Sequence, residues 1–197
     1  SLLEDGFESG DLYGLFDNWS GDFSNSYCDT TVDSSCSWVV SNYSSLAGNY
    51  SLSIGSANGD LSNAMHRVIS SSIYLSTDSN FTFSYRVSTE APWDKLIFCL
   101  DADNYTCGSD YAYGSEPGWS YNQSGVGPNS NSSQNFVRAW SGIQSGNFTI
   151  DLAAGYHTLH WSFSKDSAVG AYEDSAWLDN FSISSLLADS RLTPRML

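Results

Sequence analysis

Residues 155–184, GYHTLHWSFSKDSAVGAYEDSAWLDNFSIS, constrain the fold more than any other stretch. From 156 to 164 the chain alternates. Leu159, Trp161 and Phe163 point one way and Thr158, His160, Ser162 and Ser164 the other, the period of a half-buried strand. From 176 to 184 the alternation returns, with Trp177, Phe181 and Ile183 on the inward side, and predicts the second arm of a hairpin. Asp179 falls in that same inward row. A buried carboxylate is costly unless it is paired, hydrogen-bonded or bound to a metal.

The rest of the chain repeats this grammar. Strands are expected at 37–41, 49–54, 64–75, 80–88, 94–101, 136–140 and 147–152. In 80–88 the pattern is clean, with Phe81, Phe83, Tyr85 and Val87 facing in and Thr82, Ser84 and Arg86 facing out. Aromatic residues make up 15% of the chain, and Ser, Gly and Asn fill the turns, as suits short strands joined by polar loops. No heptads, no long amphipathic helix and no bilayer-length apolar run are present. These patterns predict an all-β, two-sheet antiparallel sandwich over residues 1–184, followed by a tail, 185–197.

The formal net charge is −15, from 22 acidic and 7 basic residues. That argues against nucleic acid, whose binding rests on Lys and Arg neutralising phosphates, and leaves cation binding open. The chain begins at Ser1 with no basic leader, as a processed secreted protein would. Its four cysteines fall as Cys28/Cys36 and Cys99/Cys107, a spacing that favours two local disulfides over the other two connectivities. The spacing argues against zinc, since neither pair has C-x2-C spacing or a nearby pair of histidines. Nine N-x-S/T sequons occur, at Asn18, Asn42, Asn49, Asn80, Asn104, Asn122, Asn131, Asn147 and Asn180. Fourteen asparagines in so Ser- and Thr-rich a chain would give about three or four by chance. Seven of the nine have an aromatic middle residue, and the set predicts a secreted chain N-glycosylated at several of them.

Asp5, Glu8 and Asp11 fall within seven residues around a Gly-x-x-x-Gly turn. Such a loop can offer oxygens to a hard cation such as Ca2+, which takes six to eight of them. The least regular stretch, 101–135, holds Tyr111, Tyr113, Trp119 and Tyr121, candidate platforms for a sugar ring or a partner.

Three segments resemble a known pattern. FESGDLYGLFDNWS is similar to the opening "FE-x-G-x-L-x-x-W" of jelly-roll domains, and FTFSYRVSTEAPWDKLIFCLD to their middle segment. The closing GYHTLHWSFSKDSAVGAYEDSAWLDNFSI resembles the "HtLrW…SKD…AWiDdI" close of concanavalin A-like or MAM-like domains in prokaryotic secreted surface proteins. Those domains are in turn similar to jelly-roll carbohydrate-binding modules. The resemblance covers most of residues 5–184. It implies a structural calcium tying the opening segment to the last strand, with Glu8 and Asp179 as ligands and Asp5 or Asp11 completing the set. Asn180 stands where the family often has a second acid.

Nothing points to catalysis. Glutamates occur only at 4, 8, 90, 116 and 173, with no paired-carboxylate strand motif. His157 and His160 face opposite ways along one strand, and no G-x-S-x-G, H-E-x-x-H or phosphate loop appears. Lys165-Asp166 and Tyr172-Glu173-Asp174 read as solvated turn charges. Two non-enzymatic readings follow. In the first, the chain is a structural subunit of an extracellular fibre or sheath, self-associating through its apolar tail: Leu186, Leu187, Arg191, Leu192, Arg195, Met196 and Leu197. In the alternative it is a carbohydrate-binding or adhesion module.

Overall fold

The computed structural model describes residues 2–12, 19–23, 36–55, 65–91, 93–102, 107, 136–166 and 172–186. Eleven strands carry this part of the chain: β1 (Leu2–Asp5), β2 (Trp19–Gly21), β3 (Val39–Ser41), β4 (Ser51–Ile54), β5 (Met65–Leu75), β6 (Ser79–Ser88), β7 (Lys95–Leu100), β8 (Phe136–Trp140), β9 (Ile143–Leu152), β10 (Gly155–Lys165) and β11 (Ser175–Ser185). One sheet runs β3-β4-β11-β6-β9 with β1 also on β11, and the other runs β2-β5-β10-β7-β8. All strand pairings are antiparallel. From β4 onward the chain changes sheet at every step except β7 to β8, the wrap of a jelly roll. No helix among the described residues is long and apolar enough to cross a membrane.

The hairpin reading of residues 155–184 is corrected here. β10 and β11 lie in opposite sheets, so they do not pair as a two-stranded ribbon.

The alternating aromatics meet between the sheets. Trp161 of β10 stacks on Phe181 of β11 with ring centroids 5.0 Å apart, and lies 5.4 Å from Phe98, 5.6 Å from Phe83 and 6.0 Å from Trp19. Tilted and edge-on ring pairs at these spacings fill the volume and add about 0.5–1.5 kcal/mol each beyond burial. Phe7 joins the same cluster, 5.1 Å from Phe181, and anchors the opening segment.

Behind the five-stranded sheet lies a second, smaller apolar layer. Val68, Ile97 and Ala139 are buried there under the Cys99–Cys107 disulfide. Cys36 is disulfide-bonded as well, and Cys28 lies outside the described residues.

Candidate functional site

The last strand breaks its own alternation. Its register against β6 shifts between Asp179 and Ser182, and Asn180 has a positive φ of 49°. One extra residue on one strand is a β-bulge, and Asn tolerates the left-handed conformation better than most residues. The bulge changes the phase. Ala176 and Leu178 face the core with Phe181 and Ile183, while Trp177 and Asp179 face outward. The sequence placed Trp177 and Asp179 in the inward row, and the bulge overturns that side assignment. Both are nonetheless fully buried, because the 43–51 segment folds over them. Trp177 donates its indole N–H to the Tyr43 carbonyl and carries the Arg86 guanidinium 4.3 Å above its ring.

Asp179 and Glu8 grip that segment together. Asp179 Oδ2 accepts the Ala47 N–H and the Ser51 hydroxyl, each at 2.9 Å, and Oδ1 accepts the Asn180 N–H at 2.7 Å. Glu8 Oε1 accepts the N–H groups of Asn49 (2.9 Å) and Tyr50 (3.2 Å), and Oε2 the Asn49 side-chain amide at 3.3 Å. Gly48 makes the approach feasible: its φ is +59°, and a Cβ there would lie 2.2 Å from Glu8 Oε1. Burial pushes the Asp179 carboxyl above its usual range, with the Glu8 charge adding to the push. The N–H bonds from Asn49 and Tyr50 hold Glu8 below its usual range.

This pair fits a cation in part. Two carboxylates, one from the opening turn and one from β11, gripping the same loop repel each other, a repulsion that a dication would relieve. Yet Asp5 Oδ1 accepts the Phe7 N–H and Asp11 Oδ1 the Ser9 hydroxyl, each within its own turn. No group of three or more His, Cys, Asp or Glu is placed to hold a metal ion among the described residues.

Beside the bulge, the outward face of the six-stranded sheet opens into a groove of about 490 Å3, lined by Glu4, Asp5, Thr82, Ser84, Asn147, Asn180 and Ser182. Its floor is a row of side chains bonded across three strands. Ser84 of β6 donates its hydroxyl to Asn147 Oδ1 of β9 at 2.7 Å and accepts from Asn180 Nδ2 of β11 at 3.2 Å. Thr82 and Thr149 share a hydrogen bond of 2.8 Å. Sequence reading treated Asn147 and Asn180 as sequons and overlooked the groove.

The structure gives the aromatic sequons a physical meaning. Asn80, Asn147 and Asn180 each precede a phenylalanine, Phe81, Phe148 and Phe181, that packs into or against the core. The pattern Asn-aromatic-Ser/Thr is therefore also a period-two strand pattern, polar out and aromatic in. Asn42, Asn147 and Asn180 are exposed, Asn49 is bonded to Glu8, and Asn80 is half-buried. Asn18, Asn104, Asn122 and Asn131 lie outside the described residues, as do Tyr111, Tyr113, Trp119, Tyr121 and tail residues 187–197. Leu186 is described and exposed, with its N–H on the Asp78 carbonyl.

One aromatic platform is in view. Tyr74 and Tyr156, paired across β5 and β10 on the outward face of the five-stranded sheet, are 62% and 82% exposed with centroids 4.7 Å apart. The histidines of β10 do face opposite ways. His157 bonds Asp101 and the Ala153 carbonyl, and His160 bonds the Ser70 hydroxyl. The charges read as solvated turns divide. Glu173 pairs with Arg86 in a partly exposed bridge, whereas Lys165 and Asp174 are fully buried beside Asp94, which corrects that reading for both.

No protein-family model matches this chain, and no curated protein does. Among solved structures, the chain is similar to the TmCBM61 module in complex with β-1,4-galactotriose, at 16% identity, TM-score 0.48, and coverage of 91% of this chain and 94% of that one. It is also similar to the CBM22-1 xylan-binding domain of Paenibacillus barcinonensis Xyn10C, at 14% identity, TM-score 0.44, and coverage of 92% and 91%. A third similar structure is the K1 cleaved adhesin domain of Lys-gingipain from Porphyromonas gingivalis W83, at 14% identity, TM-score 0.46, and coverage of 94% and 98%.

Proposed function

We propose that the chain is a carbohydrate-binding or adhesion module of a secreted protein, and that its ligand lies in the groove over β11, β6 and β9. The observation that carries this reading is the groove's lining. Hydroxyls, carboxamides and carboxylates are set on rigid neighbouring strands, in a space within the roughly 300–1,000 Å3 typical of small-ligand sites. Amide and carboxylate groups at fixed spacing can each bond two neighbouring sugar hydroxyls, and a sheet holds them without an ordering cost on binding. The Cys99–Cys107 disulfide supports an oxidising, extracellular setting.

The test is binding to a panel of insoluble and soluble polysaccharides. Each hydrogen bond removed from the floor should weaken binding about tenfold, so Ser84→Ala and Asn147→Ala should each do so while leaving the fold intact. If affinity falls instead with Tyr156→Ala, the ligand lies on the other sheet. If no polysaccharide is retained, the reading fails. N-glycosylation is part of the same proposal and is constrained by it. A glycan on Asn147 or Asn180 would fill the groove, whereas Asn42, among the described residues, is an exposed acceptor away from it.

Calcium also belongs to this reading, held by Glu8 and Asp179 with oxygens of the 43–51 segment. Thermal melts should rise by several degrees when calcium replaces chelator, by the mass-action gain of any ligand bound only to the folded state. Identical melts would leave the N–H groups alone as the clasp.

A structural subunit is the second reading. Among the described residues β9 pairs only with β6, which leaves the far edge of a ten-residue strand as a template for strand addition. Filaments in micrographs of the purified chain would favour it.

A further inference from the structure

We propose that the groove over β11, β6 and β9 selects sugars that carry a free amine, as glucosamine polymers do, with Glu4 and Asp5 taking the ammonium. This assignment names the substrate class of the groove and rests on the groove being the sugar site.

β1 makes one side of the groove negative. Glu4 pairs with Ser182 of β11 and shares its outward face, and Asp5 follows at the groove wall. Glu4 is exposed and takes part in no ion pair among the described residues. Asp5 is fixed, its Oδ1 accepting the Phe7 N–H at 2.9 Å. No lysine or arginine is among the described lining residues. Arg86 lies on the same face of β6, two positions beyond Ser84, but its guanidinium is taken up by Glu173, the Ser44 hydroxyl and the Trp177 ring. It brings no charge to the groove.

The floor spends its donors on itself. The Ser84 hydroxyl donates to Asn147 Oδ1, and Asn180 Nδ2 donates to Ser84 Oγ. That bond turns the Asn180 carboxamide so that its Oδ1 looks toward the opening turn, where a Cβ on Gly6 would lie 3.9 Å from it. Two carboxylates and a carboxamide oxygen therefore gather on the β1 side, and all of them are acceptors. An ammonium offers three donors and no acceptor, which complements such a set. Charge-assisted bonds of this kind are about twice as strong as neutral ones. A neutral hydroxyl displaces water from the carboxylates without matching their charge, and a uronate or sulfate adds repulsion. On the β9 side, Asn147 Nδ2 can donate to a hydroxyl of the same ligand.

The experiment is calorimetric titration of the unglycosylated protein at mildly acidic pH. The probes are a short glucosamine oligomer, its N-acetylated counterpart and a neutral β-glucan oligomer of equal length. The free amine should bind about tenfold tighter than either, the margin that one charge-assisted bond provides. Glu4→Gln should remove most of that preference. Asp151→Asn deletes an exposed acid from β9 outside the groove and should leave the preference intact. Equal losses in the two variants would trace the preference to the net charge of −15 and overturn the proposal. Equal affinity for the three oligomers would overturn it as well, while leaving the groove a site for neutral sugars. Oligolysine competing as well as the glucosamine oligomer would mean that the groove selects charge and not sugar, again overturning it. Retention of other polysaccharides without binding of the amine oligomer sinks this assignment alone, whereas retention of none sinks the groove reading with it.

Discussion

Trp161→Ala should cost about 3–5 kcal/mol of unfolding free energy, the range for truncating a large aromatic in a core that cannot collapse around the gap. Trp161 is the centre of the aromatic cluster, with Phe181, Phe98, Phe83 and Trp19 all within 6.0 Å of its ring. These neighbours come from both sheets, and each is held by its own strand, so none can move in alone. Urea unfolding should show a lower midpoint at unchanged slope, the signature of lost stability without a changed unfolded state. Trp161→Phe should recover much of the loss, because it keeps a ring between the sheets. An alanine variant within about 1 kcal/mol of the wild type would mean that the sheets are not packed through this residue.

Lys165→Met is the second large effect, also about 3–5 kcal/mol, since removing one partner from a buried ionic cluster leaves the others uncompensated. With the lysine gone, Asp94 and Asp174 face each other out of water. Thermal melts should show the loss, and Asp94→Asn in the Lys165→Met background should recover part of it by removing one of the two buried charges. Equal stability of Lys165→Met and wild type would place the lysine in solvent.

How much of this could be read in advance depended on how far each signal reached along the chain. β6 and β10 were legible because their inward rows, Phe81-Phe83-Tyr85-Val87 and Leu159-Trp161-Phe163, are continuous and apolar. The phase error in β11 came from a single residue. Asn180 adds one position at positive φ, and W-L-D-N-F scans equally well with or without it. Glu8 and Asp179 were legible as a pair, but what they grip was not, since the N–H groups of Ala47, Asn49 and Tyr50 carry no side-chain signature. The buried Asp94, Lys165 and Asp174 were hidden for a different reason. Each sits at a strand end beside polar turn residues, and the lysine is 71 positions from Asp94. The groove emerged only once β11, β6 and β9 were known to be neighbours.

The shared edge of β11 bears on how such a chain is made. β4 occupies the 176–178 part of that edge and β1 the 181–184 part, so the first described strand completes its sheet on the last described one. During synthesis β1 emerges before the other described strands and waits for its partner until residues 181–184 have been made. Long-range pairing of this kind is slow, and it cannot begin on a partial chain. The sandwich therefore stays open until β11 has left the ribosome.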